Sequence, residues 1–430
     1  MIVSPAWKDK RYAVLGLARS GRATVEALLA AGADVLVWDD RAEAREPYSG
    51  RCAIGDPLGA DLNGYAGVVV SPGVPLNTHP IKQHADNFGV PVIGDVELFA
   101  QARPHLPPHK VVGITGTNGK STTTALVHHI LKTAGVPTTM GGNIGPPILE
   151  QEPLPEGGVY VLELSSYQID LTYSLDCDVA VLLNITPDHL DRYDGDFARY
   201  VASKERLFAM QAPGQLAIDL RPDRHPSEGW DRPQAKSDDA DHDPSFCWGD
   251  EEAIAASLAG PHNRQNAKAA ACAARSLNVH GDTIAEALRT YPGLPHRMER
   301  VAEISGVNYV NDSKGTNTAA SAPALAAFEN IHWILGGLAK EPGLGECEAE
   351  LGHVKAAYTI GEAGPAFAVL LEPIVRVEKC ETLERAVTSA AAAAEAGDTV
   401  LLSPACASFD QYRDFEARGE HFRELVEALT

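Results

Sequence analysis

Residues 111–131, VVGITGTNGKSTTTALVHHIL, constrain the chain more than any other stretch. An apolar strand, a glycine-rich turn and a Gly-Lys-Ser opening a helix together form the arrangement that surrounds a polyphosphate. The turn points backbone N–H groups inward, and the helix N-terminus favours negative charge. Gly116 and Gly119 allow that turn, with Thr117, Asn118 and Thr122 beside them. Lys120 is placed to reach the β and γ phosphates, and Ser121 to ligate Mg²⁺. The strict GxxxxGK[ST] spacing is not met, because Ile114 stands where the first glycine belongs. A plain strand-to-helix turn with an exposed lysine would read the same way, but the strand and helix on either side favour ATP or GTP.

A chain of 430 residues is too long for one ordinary core and predicts two to three domains. With 44% apolar and 22% charged residues it reads as a soluble globular protein, and no apolar run approaches a membrane span. The N-terminal MIVSPAWKDKRYAVLG carries no export pattern, so a cytoplasmic location is expected. Seven cysteines are dispersed without CxxC spacing, which fits reduced thiols rather than a disulfide frame or a zinc site. The net charge of −22 repels phosphate backbones and argues against nucleic acid as a partner. Any phosphate ligand must then be held locally, by N–H groups, a few Lys or Arg, and metal.

From residue 11 onward, short β-branched runs alternate with Ala- and Leu-rich helical stretches, the pattern of an α/β protein built on parallel sheets. YAVLG (12–16), DVLVWDD (34–40), AGVVVSPGV (66–74) and VPVIGD (90–95) form a first block. The Pro- and His-rich ARPHLPPH (102–109) reads as a linker. A second block runs through GVYVLELS (158–165), DVAVLLNIT (178–186) and a helical HNRQNAKAAACAARSL (262–277), interrupted at 221–245 by a polar stretch expected to be a surface loop or disordered. YPGLPHR (291–297) marks the next boundary, and a third alternating block ends in a helix. The expected domains are 1–103, 110–292 and 296–430.

GLARSG (16–21), with Asp39 about 20 residues on, mimics a dinucleotide fingerprint, although Ala18 replaces its second glycine; on this evidence a dehydrogenase or a nucleotide-regulated binding module stays open. Glu163 ends a strand on the edge where an open parallel sheet places its ligands, and a carboxylate there can hold Mg²⁺ or simply pair with a cation. His189, in NITPDHLDRY, follows another strand end. Lys204, in YVASKERLF, carries no decisive local signal.

The motifs TGTNGKST, GGNIG, LELSSYQ, NITPDHLDRY, GPHNRQNAKAA, LPHRMER, NDSKGTN, GGLAK and SPACASFDQYRDFEARG, in that order, resemble those of the Mur ligases. The last, with NDSK, points to the member that adds D-glutamate. The folylpolyglutamate synthases share the phosphate loop and the HN…N element and are the nearest rival. The resemblance implies a Rossmann-like N-terminal UDP-binding domain, a central P-loop ATPase domain with a mainly parallel sheet, and a C-terminal Rossmann-like α/β domain. It implies ATP-dependent ligation of D-glutamate to UDP-N-acetylmuramoyl-L-alanine through an acyl-phosphate, in peptidoglycan precursor synthesis, by a protein expected to act as a monomer.

Carried over by motif, Ser121, Glu163, His189 and Lys204 serve metal, expected to be two Mg²⁺ ions, with Lys204 as a carbamate; Lys120, Lys204, His189 and Glu163 form the catalytic set. Gly116, Thr117, Asn118, Gly119, Lys120, Ser121, Thr122, Asn263, Asn266, Arg297 and Asp312 fall at ATP positions. Arg19, Ser20, Asp39, Asp40, Arg41, Ser71, Pro72 and Gly73 fall where the family holds UDP, and Asn143 and Gln168 where it holds the sugar-peptide end. Lys314, Thr316, Lys340, Ser408, Phe409 and Phe415 surround the incoming glutamate. Three departures stand out: 215–260 is short for the family, Phe409 replaces a usual Leu, and 41–66 matches thinly.

Overall fold

The computed structural model describes residues 1–188, 190–221, 255, 258 and 261–429. The expected surface loop at 221–245 lies outside them except for Arg221, which is ion-paired to Asp219 and Glu205.

Among the described residues, sixteen strands build three sheets. The first contains β1 (Arg11–Leu15), β2 (Asp34–Trp38), β3 (Ala53–Ile54), β4 (Tyr65–Val70) and β5 (Val92–Ile93) in the order β3-β2-β1-β4-β5, parallel throughout. The second contains β6 (His109–Thr115), β7 (Thr138–Gly142), β8 (Gly158–Glu163), β9 (Val179–Leu182) and β10 (Leu216–Asp219) in the order β10-β9-β6-β8-β7, again parallel. The third contains β11 (Glu299–Ile304), β12 (Val307–Asn311), β13 (Ile331–Gly336), β14 (Val354–Ile360), β15 (Arg376–Glu381) and β16 (Thr399–Leu402). Its order is β11-β12-β16-β13-β14-β15, with only β11 antiparallel to its neighbour. Strands covered on both faces must be apolar along their whole length, and β8 and β9 are buried at every residue.

Met1–Glu252 with Asn266–Leu288 form one compact unit, and Ala253–Gln265 with Arg289–Thr430 a second. In the first unit both sheets drain into one core: Val14 and Val37 belong to the same cluster as Leu98, Phe99, Tyr160, Leu162 and Ala180. Phe99 meets Tyr160 edge-on at 5.0 Å between ring centres. The stretch 102–109, expected as a linker, is therefore tightly held. The helix Asp95–Ala102 runs into a 3₁₀ turn at Arg103–His105. Arg103 donates to the Asp176 carbonyl and pairs with Asp178, whose carboxylate also accepts the Val111 N–H at 2.8 Å. The linker is thus fixed by partners some seventy residues away.

In the second unit the third sheet carries a core on each face, one around Trp333 and Leu335, the other around Tyr358 and Phe422. None of the described cysteines is in a disulfide. Among the described residues no helix is long and apolar enough to cross a membrane.

Candidate active site

Parallel sheets gather ligands beyond the carboxyl ends of their strands, where the strand order reverses. In the first sheet that point lies between β1 and β4, and the loops leaving them carry Arg19, Ser20, Ser71, Pro72 and Gly73. Ser71 donates to the Gly16 carbonyl at 2.8 Å and closes the two loops on each other. Gly21 is required by contact: a Cβ there would lie 1.9 Å from the Gly16 carbonyl oxygen. Its absence lets the helix Arg19–Ala30 start directly above the strand. Asp39, at the end of β2, accepts the Leu17 N–H at 2.7 Å and the Arg41 N–H and guanidinium at 3.1 Å. Asp40 lies next to it on the same loop.

Burial raises the Asp39 carboxyl, but the Arg41 guanidinium and the two N–H groups more than reverse that and hold it at about 2. Because the folded value is depressed, the stabilisation is present above the unfolded carboxylate value and fades as pH falls toward 2. Asp39→Asn is expected to cost about 1 kcal/mol at pH 7, with a melting-temperature gap to the wild type that closes between about pH 4 and pH 2. A gap independent of pH would remove the charge from this account.

The phosphate loop follows β6. Gly119 has φ +84°, and a Cβ on it would lie 2.3 Å from Asn266 Oδ1, so only glycine lets the loop and the helix Pro261–Ser276 approach. Asn263 and Asn266 stand three apart on one face of that helix. Lys120 opens the helix Lys120–Thr133 and donates to the carbonyls of Gly116 at 2.9 Å and Thr117 at 2.7 Å. Lys204, only 2% exposed, donates to the same Gly116 carbonyl at 2.8 Å and lies 4.7 Å from the centre of the Tyr200 ring. Burial and the neighbouring Lys120 charge bring its amine down to about 7. Two lysine amines thus share one carbonyl at the mouth of the loop. Ser121 is buried beside them, Thr122 half-buried, and Asn118 exposed.

Two further residues shape this loop. Asn184 Oδ1 accepts the Asn118 N–H at 2.9 Å and the Asn184 carbonyl accepts the Thr117 N–H at 2.9 Å, while Tyr200 meets the Thr117 hydroxyl at 3.1 Å. Neither was picked out from sequence, although both stand in segments quoted above; an Asn directly after an apolar strand was the available signal.

Glu163 ends β8 and is 2% exposed. Its Oε1 accepts Asn143 Nδ2 at 2.9 Å, and the Glu163 carbonyl accepts the Asn143 N–H at 2.9 Å. The other carboxylate oxygen, Oε2, is buried without a hydrogen-bond partner among the described residues. A buried carboxylate oxygen left unpaired is costly, and a hard cation would satisfy it. Glu163 and Ser121, the two described residues among those carried over by motif for metal that need no modification, both offer oxygen, the donor that Mg²⁺ prefers. Among the described residues no three His, Cys, Asp or Glu gather as a metal cage. His189 lies outside the described residues. Gln168 is buried within a capping box, its Oε1 accepting the Ser165 N–H at 3.1 Å. Its carbonyl oxygen is therefore engaged in the start of the helix Ser166–Asp170.

In the second unit, strand order reverses between β13 and β16, and the loops there carry Lys340 and Ser408. Lys340 Nζ donates to the Thr316 hydroxyl at 3.3 Å, and Lys314 Nζ sits 4.2 Å from the Phe415 ring centre. Ser408 is buried, whereas Phe409 is 69% exposed. Asp312, at the end of β12, accepts the Ser403 hydroxyl at 2.7 Å and the Met298 N–H at 3.2 Å. Burial raises its carboxyl to about 7 against those bonds and the nearby Arg297 and Arg418. Arg418 was not singled out from sequence although it closes the last motif. It is 1% exposed and donates to Ser313 Oγ, to the Ser313 carbonyl and to the Cys406 carbonyl at 2.9–3.1 Å, tying the 313 loop to the 406 loop.

Three family descriptions match the chain in order: "Mur ligase MurD-like, N-terminal domain" at 10–94, "Mur ligase middle domain" at 114–274, and "Mur ligase, glutamate ligase domain" at 296–406. The UDP-N-acetylmuramoylalanine--D-glutamate ligase of Novosphingobium aromaticivorans is 63% identical over 100% of this chain and 97% of its own length. The equally named protein of Sphingopyxis alaskensis is 58% identical over 100% of both. Among solved structures, the UDP-N-acetylmuramate-alanine ligase of Thermotoga maritima shares the fold with 18% identity and a TM-score of 0.57, over 98% of this chain and 100% of that chain. FolC of E. coli, at 19% identity and a TM-score of 0.53, covers 78% of this chain and 93% of that chain, and likewise speaks to fold alone. The chain belongs to the Mur ligase family.

Proposed function

We infer that this chain is an ATP-dependent ligase that joins D-glutamate to UDP-N-acetylmuramoyl-L-alanine, the reaction after which its relatives are named. The observation that carries the chemistry is the phosphate loop with Lys120 and Lys204 on one carbonyl, together with Glu163, whose Oε2 has no partner among the described residues. A free carboxylate and an amine do not condense readily, because oxide is a poor leaving group. The precursor's alanine carboxylate therefore attacks the γ phosphorus and ADP leaves; the D-glutamate amine attacks the acyl carbon, and phosphate leaves with the carboxylate's former oxygen. Bound Mg²⁺ neutralises phosphate charge. Lys120 supplies a cation to the β and γ phosphates, Ser121 and Glu163 offer oxygen ligands, and the loop N–H groups orient the chain of phosphates.

A second metal and a carbamate on Lys204 belong to the same reading. Carbamate formation consumes a neutral amine and CO₂ and releases a proton. An amine brought to about 7 supplies that form near neutral pH. The functional division proposed is 1–103 for UDP, 110–292 for ATP and 296–430 for the amino acid, in a monomer at work in the cytoplasm. Asn263, Asn266, Arg297 and Asp312 are proposed for the nucleotide; Arg19, Ser20, Asp39, Asp40, Arg41, Ser71, Pro72, Gly73, Asn143 and Gln168 for the UDP-linked substrate.

Lys314 and Lys340 are proposed to pair with the two glutamate carboxylates, beside Thr316, Ser408, Phe409 and Phe415. A site built for a charge-assisted pair rejects an analogue that leaves a cation unpaired. Replacing D-glutamate by D-glutamine is expected to cost about 1.5–3 kcal/mol in kcat/KM, and Lys314→Ala and Lys340→Ala should raise the KM for D-glutamate far more than that for ATP. Equal use of both amino acids would move the lysines out of the pocket and favour another amine substrate.

A further inference from the structure

The helix Asp95–Ala102 leads from the first sheet to the second and carries a carboxylate that no role above uses. Glu97 is 5% exposed, and four donors converge on it. Its Oε2 accepts the backbone N–H groups of Tyr173 and Ser174 at 2.7 and 2.9 Å. Its Oε1 accepts the Ser174 hydroxyl at 2.8 Å and Gln101 Nε2 at 3.2 Å. Most neighbours on this helix are apolar, so packing alone would be served by another Leu or Met. A buried carboxylate is tolerated only where strong hydrogen bonds repay its lost hydration, and those bonds fix its partners in direction as well as distance.

The partners belong to the other sheet. Tyr173 and Ser174 follow the helix Ser166–Asp170, which itself follows β8 and Glu163. The same seam holds the Gly94 N–H on the Leu171 carbonyl at 2.9 Å and the Tyr173 hydroxyl on the Val92 carbonyl at 3.1 Å. Farther along, Arg206 donates to the Thr172 carbonyl at 2.9 Å, so the segment is anchored from both sides. The segment from Glu163 to Ser174 thus begins at the phosphate edge of the second sheet and ends locked to the first.

We propose that Glu97 is a positioning residue that keeps the first sheet in register with the phosphate edge of the second, so that a precursor gripped by its nucleotide on the first sheet presents its carboxylate to the γ phosphate. This rests on the ligase reading above. In-line attack needs the reacting atoms about 3–3.5 Å apart and aligned, and a shift of about 1 Å costs about 10²-fold. A substrate held on two sheets feels any slip between them, whereas ATP, for which no residue of the first sheet is proposed, does not.

Steady-state kinetics of the wild type, Glu97→Ala and Glu97→Gln test this. Glu97→Ala is expected to lose about 10–100-fold in kcat/KM for UDP-N-acetylmuramoyl-L-alanine, with the KM for ATP within about twofold of wild type. Glu97→Gln should recover most of the loss, because its amide oxygen can still accept both backbone N–H groups while its NH₂ faces the Ser174 hydroxyl. If Glu97→Ala does not fold, Glu97→Asp takes its place, keeping the charge but withdrawing it from Tyr173 and Ser174. Amide exchange at Tyr173 and Ser174 gives a readout free of activity: it should quicken in the Ala or Asp variant and stay slow in the Gln variant. Unchanged kinetics in a folded Ala variant, a KM for ATP raised as much as that for UDP-N-acetylmuramoyl-L-alanine, or no rescue by Gln would overturn the proposal. A wild type that makes no product but shows the exchange pattern would instead overturn the ligase reading and leave the clamp standing.

Discussion

Lys120→Ala is expected to lower turnover by about 10²–10³-fold while shifting the melting temperature by no more than a few degrees. In the protein the ammonium donates to the Gly116 and Thr117 carbonyls of its own loop. In the proposed reaction it supplies a cation to the β and γ phosphates, where charge builds in the transition state. A second effect has a definite sign. Lys120 is one of the causes that lower the Lys204 amine, so its removal should move Lys204 upward from about 7 and reduce the neutral fraction at neutral pH. Near-normal turnover in a folded Lys120→Ala protein would take the phosphate loop out of the mechanism.

Lys204→Ala is expected to lose about 10²-fold or more, and to regain part of that loss with added formate or acetate. A bare ammonium beside bound Mg²⁺ would be repelled, whereas a carbamate turns the same side chain into an anionic oxygen donor. Truncation leaves a small space lined by the Gly116 carbonyl and the Tyr200 ring, into which a short carboxylate fits as a substitute. Turnover indifferent to the substitution, or a loss that no carboxylate relieves, would leave Lys204 as an amine that merely props the loop.

Much of this was legible in sequence because the relevant signals are local. The strand before the phosphate loop, the glycines that turn it and the lysine that opens its helix lie within a dozen residues, and β6 and the helix Lys120–Thr133 stand where that pattern places them. The edge strand β15 gave no comparable signal: RVEKCE is exposed at three of its six residues and fully buried at one, so no apolar run marks it. Composition marked 102–109 as a linker but not what holds it, since Arg103 reaches across to Asp176 and Asp178.

The deeper reason is that periodicity reports which face of an element is apolar, not which distant element covers it. The core shared by the first two sheets, and the meeting of Glu97 with Tyr173 and Ser174, join residues more than seventy positions apart. Arg418 shows the same limit: nothing local marks it within the last motif, and only the fold reveals a buried guanidinium that ties two loops near Lys314 and Ser408.

The most direct test of the central claim is to label both oxygens of the alanine carboxylate of UDP-N-acetylmuramoyl-L-alanine with oxygen-18, supply ATP and D-glutamate, and analyse the products by mass spectrometry. The account predicts a D-glutamyl adduct that retains one labelled oxygen, ADP, and inorganic phosphate carrying the other. A D-glutamyl adduct formed with unlabelled phosphate would contradict the acyl-phosphate route, and no adduct with D-glutamate at all would contradict the assignment of the amino acid.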